Sequence, residues 1–174
     1  MKFEQKKSLE EKFEFRKLNS GDWDKYKKVR LQALETDPEA FGGALEAESK
    51  IKDQEWKERL NDNDWSFYGA QQKDDLVSIA NLSMIDSNNW RIQGVYTMPE
   101  FRGKHLSESL LNQIIIDAKQ KKAKKVSLFV NTTQEGAISL YKKLGFETAK
   151  IYKNEILGNG IICDLNYMEK DLTQ

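Results

Sequence analysis

The sequence is short of the residues that cross-link or punctuate a chain. Among its 174 residues are one cysteine, one histidine and two prolines. A lone Cys163 excludes an internal disulfide, and a lone His105 excludes a metal site built on two histidines. A reducing, cytoplasmic home is the expectation. Charge of one sign is missing too: 28 basic and 28 acidic residues cancel, which argues against a nucleic-acid or membrane-surface partner. No apolar run approaches the roughly 20 residues of a membrane span. The opening Met1-Lys2-Phe3-Glu4 lacks the apolar core of a secretion signal, and no repeat or low-complexity tract is found.

What is present suits one hydrophobic core. The expected division is a polar extension over residues 1–12 and a single domain over residues 13–174. Phe13, Phe15 and Leu18 read as a strand. Trp23, Tyr26, Val29, Arg30 and Ala33 or Leu34 follow at helical spacing after Asn19-Ser20-Gly21-Asp22. Residues 51–60 read as a second helix, and residues 66–71 and 76–85 as strands joined across Lys73-Asp74-Asp75. Leu106, Leu110, Leu111, Ile114, Ile115 and Ala118 form one helical stripe. Residues 126–130 are almost wholly apolar, as in a strand covered on both faces. Thr132-Thr133-Gln134-Glu135 reads as a capping box opening a helix that carries Ala137, Tyr141 and Leu144 and ends at Gly145. Residues 147–156 and 161–169 close as a hairpin through Gly158-Asn159-Gly160, with Cys163 expected in the core. The sum is an α/β layered fold.

The most informative stretch spans residues 92–107. Ile92, Tyr96 and Met98 recur at even spacing, Pro99 closes the strand, and Gly103 loosens the backbone before the long stripe begins. The first N–H groups of a helix lack intrahelical partners and share its positive pole, so this junction suits a pyrophosphate. Arg102 and Lys104 add positive charge there.

Val95-Tyr96-Thr97-Met98-Pro99-Glu100-Phe101-Arg102-Gly103-Lys104-His105-Leu106-Ser107 resembles the acyl-coenzyme A signature of the GCN5-related N-acetyltransferase (GNAT) superfamily, Arg/Gln-x-x-Gly-x-Gly/Ala. Arg102 fits. His105 stands where the pattern has its first glycine, and Ser107 where it has glycine or alanine. Phe129-Val130-Asn131-Thr132-Thr133-Gln134, followed by residues 137–146, is similar to the superfamily's other signature segment, in the right order with a helix and a strand between.

The resemblance implies a GNAT-like mixed, mostly antiparallel sheet of six to seven strands with about four helices on its faces. It implies an acyltransferase that moves the acetyl group of acetyl-coenzyme A (acetyl-CoA) to a primary amine without a metal. Cofactor binding then falls to Val95, Tyr96, Thr97, Arg102, Gly103, Lys104, His105, Leu106 and Ser107. The strand edge at residues 95–97 would pair with the pantetheine arm and aim one N–H at the thioester oxygen, and the turn at residues 102–107 would hold the diphosphate. Gln134 stands where the family often has asparagine, so Asn131 is the alternative pantetheine contact. Tyr141 matches the family's general acid.

Between Glu35 and Glu48 lie Asp37, Glu39 and Glu46 and no Lys or Arg. An acidic solvated loop is the plain reading. In the superfamily this part borders the acceptor cleft, which would favour a small cationic amine. A protein or peptide amine, and a non-catalytic coenzyme A-binding module suggested by His105 and Ser107, are the alternatives. The base is open among Glu46, Glu48, Asp86, Glu100 and an ordered water relay. The oligomeric state is open as well, a homodimer included.

Overall fold

A computed structural model describes residues 12–173, so the expected extension lies, apart from Lys12, outside the described residues. The alternating segments become strands β1 (Glu14–Lys17), β2 (Trp65–Gln72), β3 (Asp75–Met84), β4 (Asn89–Thr97), β5 (Lys125–Asn131), β6 (Glu147–Ile156) and β7 (Ile162–Asp171). The 3.6-residue periods become helices α1 (Trp23–Thr36), α2 (Leu45–Ser49), α3 (Asp53–Leu60), α4 (Leu106–Gln120) and α5 (Glu135–Lys143). The strands form one sheet in the order β1-β2-β3-β4-β5-β7-β6. Every neighbouring pair is antiparallel except β4 and β5, as the mixed, mostly antiparallel sheet of the sequence reading requires.

Helices cover both faces of the sheet. Phe67 and Tyr68 are consecutive on β2 and so point to opposite sides. Phe67 packs 5.1 Å from the ring of Tyr26 on α1, while the Tyr68 hydroxyl donates to Asp117 on α4. Lying between these layers, β3 is buried from Leu76 to Ser83. The α4 stripe of Leu106, Leu110, Leu111, Ile114, Ile115 and Ala118 is buried as its spacing predicts. Each of its Leu and Ile side chains stabilises the fold by about 1.5–3 kcal/mol.

Three local readings are corrected. Helix α2 appears where a loop was expected, because its Glu48 is drawn to Arg30 of α1 by two hydrogen bonds of 2.7 and 3.0 Å. The capping box at residues 132–135 does not form. Asn131, one residue earlier, accepts from both the N–H and the hydroxyl of Thr133 at 3.1 and 3.0 Å, and Gln134 sits at the helix start without a side-chain cap. Cys163 is only half-buried, because its neighbour β6 is the sheet's edge and is exposed at every position but one. Burial, then the nearby carboxylates of Asp164, Glu155 and Glu39, push its thiol pKa up, away from nucleophilic character.

Candidate active site

The site begins with a fault in β4. Ile79 pairs with Tyr96 but Asn81 pairs with Gln93, so Gly94 and Val95 together face Ala80 in a β-bulge. Gly94 holds φ +62°, and a Cβ there would lie 2.8 Å from Asn81 Nδ2. Glycine is the residue that takes both the conformation and the contact. A bulge bends its strand. Accordingly β4 and β5 pair only from Asn89 to Arg91 against Lys125 to Ser127, and beyond that they diverge into a wedge.

The direction of the backbone past the bulge follows from its contacts. Met98 N–H donates to Val77 O, and Tyr96 O accepts from Ser78 Oγ at 2.8 Å, so the main-chain groups of both residues face β3. By alternation those of Thr97 face the wedge. Arg102 Nε reaches Thr97 O from that side at 3.1 Å.

The wedge holds a cavity of about 320 Å³ lined by Val95, Tyr96, Thr97, Arg102, Ser107, Asn131 and Tyr141, among others. Gly103, Lys104, His105 and Leu106 form the adjoining turn into α4. His105 takes the left-handed φ +59° that the signature's glycine would supply. Its imidazole meets Glu108 at 3.1 Å, and Glu108 also takes Lys143 at 2.7 Å. These two partners, Lys143 foremost, hold the Glu108 carboxyl below its usual pKa. Ser107 turns its hydroxyl to Thr97 at 2.9 Å, and Thr97 passes the contact to Ser78 at 2.7 Å, so the serine ties α4 to β4. Arg102 is itself engaged, with Asp37 at 2.5 Å and over the Tyr96 ring. Replacing His105 with valine is expected to cost about 1–2 kcal/mol, the penalty of a side chain in left-handed geometry. Glycine at the same place should leave stability level or higher. Urea denaturation of the two variants checks the pair.

Tyr141 is 7% exposed, against Phe146 at 6.0 Å, and its hydroxyl has no hydrogen bond among the described residues. Burial alone pushes its pKa up to about 12, so it stays a proton donor at neutral pH. Asn131 has its oxygen on Thr133 and its amide nitrogen 3.4 Å from Glu39 O, so it ties the segment before Phe41 to β5.

A second cavity, of about 600 Å³, shares Phe41, Ile92, Gln93, Gly94, Phe129 and Asn131 with the first, so the two meet at the bulge. Its walls are Phe41, Trp56, Trp65 and Phe67, with Asn81, Arg30, Arg59, Arg91, Glu39, Glu48 and Asp62. The turn between β6 and β7 docks beside it: Gly158 N–H donates to Gly42 O at 2.9 Å and Asn159 Nδ2 to Pro38 O at 2.8 Å. A Cβ at Gly158 would stand 2.3 Å from Gly42 O. Gly158→Ala is therefore expected to undock this turn at a cost of about 1 kcal/mol. The acceptor KM should rise while acetyl-CoA affinity, measured by calorimetry, holds.

Much of the acidic segment's charge is held in internal pairs, although Glu39 and Glu48 line this cavity. Asp37 holds Arg102, Glu46 holds Lys50 at 2.8 Å, and Glu48 holds Arg30. The lining carries three arginines beside three carboxylates, so its charge does not by itself select a cationic acceptor. Of the candidate bases, Asp86 is spent on Asn88 and Asn89, Glu100 is exposed in the turn before Arg102, and Glu48 alone lines the cavity. Asn81, Arg59 and Arg91 were missed. The signal for Asn81 is a lone amide in a strand buried from Leu76 to Ser83.

Residues 28–146 match the model of the Acetyltransferase (GNAT) family. Over 62 residues, 36% of this chain, the sequence is 37% identical to an uncharacterized N-acetyltransferase of Methanocaldococcus jannaschii, and the match spans 27% of that relative's own length. A Bacillus subtilis protein, assigned by name as a [ribosomal protein bS18]-alanine N-acetyltransferase, is 31% identical over 58% of this chain and 67% of its own. The fold is shared with yncA of Salmonella typhimurium, solved with its cofactor acetyl-CoA, at a TM-score of 0.78 and 17% identity over 94% of this chain and 95% of that one. No helix among the described residues is long and apolar enough to cross a membrane. With the wedge, the bulge and both signature segments in place, the chain belongs to the acetyltransferase (GNAT) family and is an acyltransferase of the acetyl-CoA-using kind.

Proposed function

We propose that the protein transfers the acetyl group of acetyl-CoA to the primary amine of a small molecule held in the larger cavity. The observation that carries this reading is the meeting of the two cavities at the β4 bulge. Acetyl-CoA supplies an acetyl group activated as a thioester. Val95 and Thr97 offer main-chain groups to its amide-bearing arm as another strand would. The N–H of Val95, displaced by the bulge, suits the thioester oxygen, a donor worth roughly 3 kcal/mol in the transition state. The turn at residues 103–107 offers its N–H groups and the positive end of α4 to the diphosphate.

In the reaction an N–C bond forms to the acetyl carbon, the C–S bond breaks, and the proton lost by the amine passes to water, which restores the one Tyr141 gives up. Tyr141 delivers its own proton to the departing sulfur. A thiolate with an ordinary pKa of about 8.5 does not by itself draw a proton from a group at about 12, so the transfer is tied to C–S cleavage, which the donor's contact with the sulfur assists. Incubation with acetyl-CoA and a broad panel of amines should release free thiol and yield the N-acetylated amine by mass spectrometry. Silence across the panel, with acetyl-CoA bound, would count against the proposal.

A second reading, a peptide α-amine as acceptor, draws on the name carried by the Bacillus subtilis relative. The docked β6–β7 turn weighs against it, because a polypeptide needs an open groove. Acetylation of short peptides in preference to every small amine would reverse that ranking.

A further inference from the structure

The chain has five arginines, and three of them hold a carboxylate: Arg16 with Asp22, Arg30 with Glu48 and Arg102 with Asp37. Arg59 and Arg91 have no ion pair and no hydrogen bond from the side chain among the described residues, and both line the larger cavity. Each guanidinium lies 5.0 Å from an aromatic ring, Arg59 over Trp56 and Arg91 over Phe129. A cation–π contact holds each guanidinium in place while N–H groups that it leaves free suit a planar, two-oxygen acceptor.

An independent observation points the same way. Five buried side-chain polar atoms lack a partner among the described residues, and three of them, Trp56 Nε1, Asn81 Oδ1 and Arg91 Nε, belong to the lining of this cavity. Asn81 is 6% exposed and lies against Gly94, where the two cavities meet. Buried polar atoms are normally satisfied, so their concentration here marks a place for a polar ligand. Glu39 and Asp62 also line the cavity and pair with neither arginine, which leaves both signs of charge on its walls.

We infer that the acceptor amine also carries a carboxylate, held by Arg59 and Arg91, so that its substrate class is the free amino acids and their close analogues. This rests on the transferase reading and narrows it. Arg91 precedes Gly94 by three residues, about 10 Å along the strand, so the carboxylate sits toward the far end of the cavity. The amine then lies toward the bulge, beside Asn81.

The test sets each common amino acid against its own carboxamide, with putrescine as a purely cationic amine, and measures thiol release from acetyl-CoA by the full chain. The acid should exceed its amide in kcat/KM by about tenfold or more for the preferred side chain. Arg59→Gln and Arg91→Gln should each collapse that ratio toward one. Thermal stabilisation by the same amino acid without acetyl-CoA should shrink in both variants. Because Arg91 Nε is buried, exposed Arg59→Gln carries the test if Arg91→Gln does not fold. Amides or putrescine used as well as acids, or a ratio that neither substitution moves, overturns this inference and leaves the transferase reading standing. No thiol release with any amine overturns both.

Discussion

Tyr141→Phe should lower kcat by about 10²- to 10⁴-fold, the usual worth of a positioned general acid, with acetyl-CoA affinity and fold preserved. The substitution removes one oxygen and nothing else. That hydroxyl has no hydrogen bond among the described residues and is not one of their fully buried polar atoms, so its loss breaks no contact within them and is expected to be close to neutral for stability. Activity and stability are thereby separated: kinetics should collapse while the urea midpoint stays level.

The pH profile gives a second check on the same residue. Tyr141 acts as a donor, so the rate falls only when it ionises, and burial has moved that ionisation up to about 12. An acceptor amine with an ordinary pKa of about 10 gains nucleophilicity as pH rises. The wild-type rate should therefore climb from pH 7 to 10 with no descending limb. The sign for stability is consistent with this. A tyrosine whose folded pKa lies above its unfolded value contributes stability that is complete below the unfolded pKa and is lost as pH passes through the folded one. A descending limb between pH 8 and 9 would assign the proton donor to another group.

Gly94→Ala should reduce kcat/KM by about 10²-fold, through the backbone rather than through any side chain that touches the substrates. The residue sits at φ +62°, where an L side chain costs about 1–2 kcal/mol, and its new Cβ would press on Asn81 Nδ2. The cheapest relief is to flatten the bulge. Doing so slips β4 by one residue, and a one-residue slip reverses the side to which every following group points. The Val95 N–H would then face β3 instead of the wedge, and the thioester oxygen would lose its donor. Steady-state kinetics together with hydrogen exchange at Val95 would read both halves of the effect. Wild-type kcat/KM in Gly94→Ala would show that the bulge does not serve the reaction.

Local order was legible in the sequence because its causes are local. The spacing of Leu106, Leu110, Leu111, Ile114, Ile115 and Ala118 dictates one buried helix face, and the structure buries all six. Gly94 inside a strand was itself a sign of a bulge, but alternation of Ile92, Tyr96 and Met98 on either side of it masked the extra residue. Partner choice among charges was not legible. Asp37 meets Arg102 across 65 positions and Arg30 meets Glu48 across 18, so part of an acidic segment on paper is spent on internal pairs in space. The same distance hid Arg59 and Arg91, which share a cavity but no motif. His105 and Ser107 are departures from the signature that the fold absorbs, one in left-handed backbone and the other in a hydroxyl chain to Thr97 and Ser78.

A crystal structure with coenzyme A bound tests the whole account in one distance. The sulfur should lie within hydrogen-bond reach of the Tyr141 hydroxyl, about 3–4 Å, with the diphosphate against the N–H groups of residues 103–107. A diphosphate seated elsewhere, or a sulfur well beyond that reach, would contradict it.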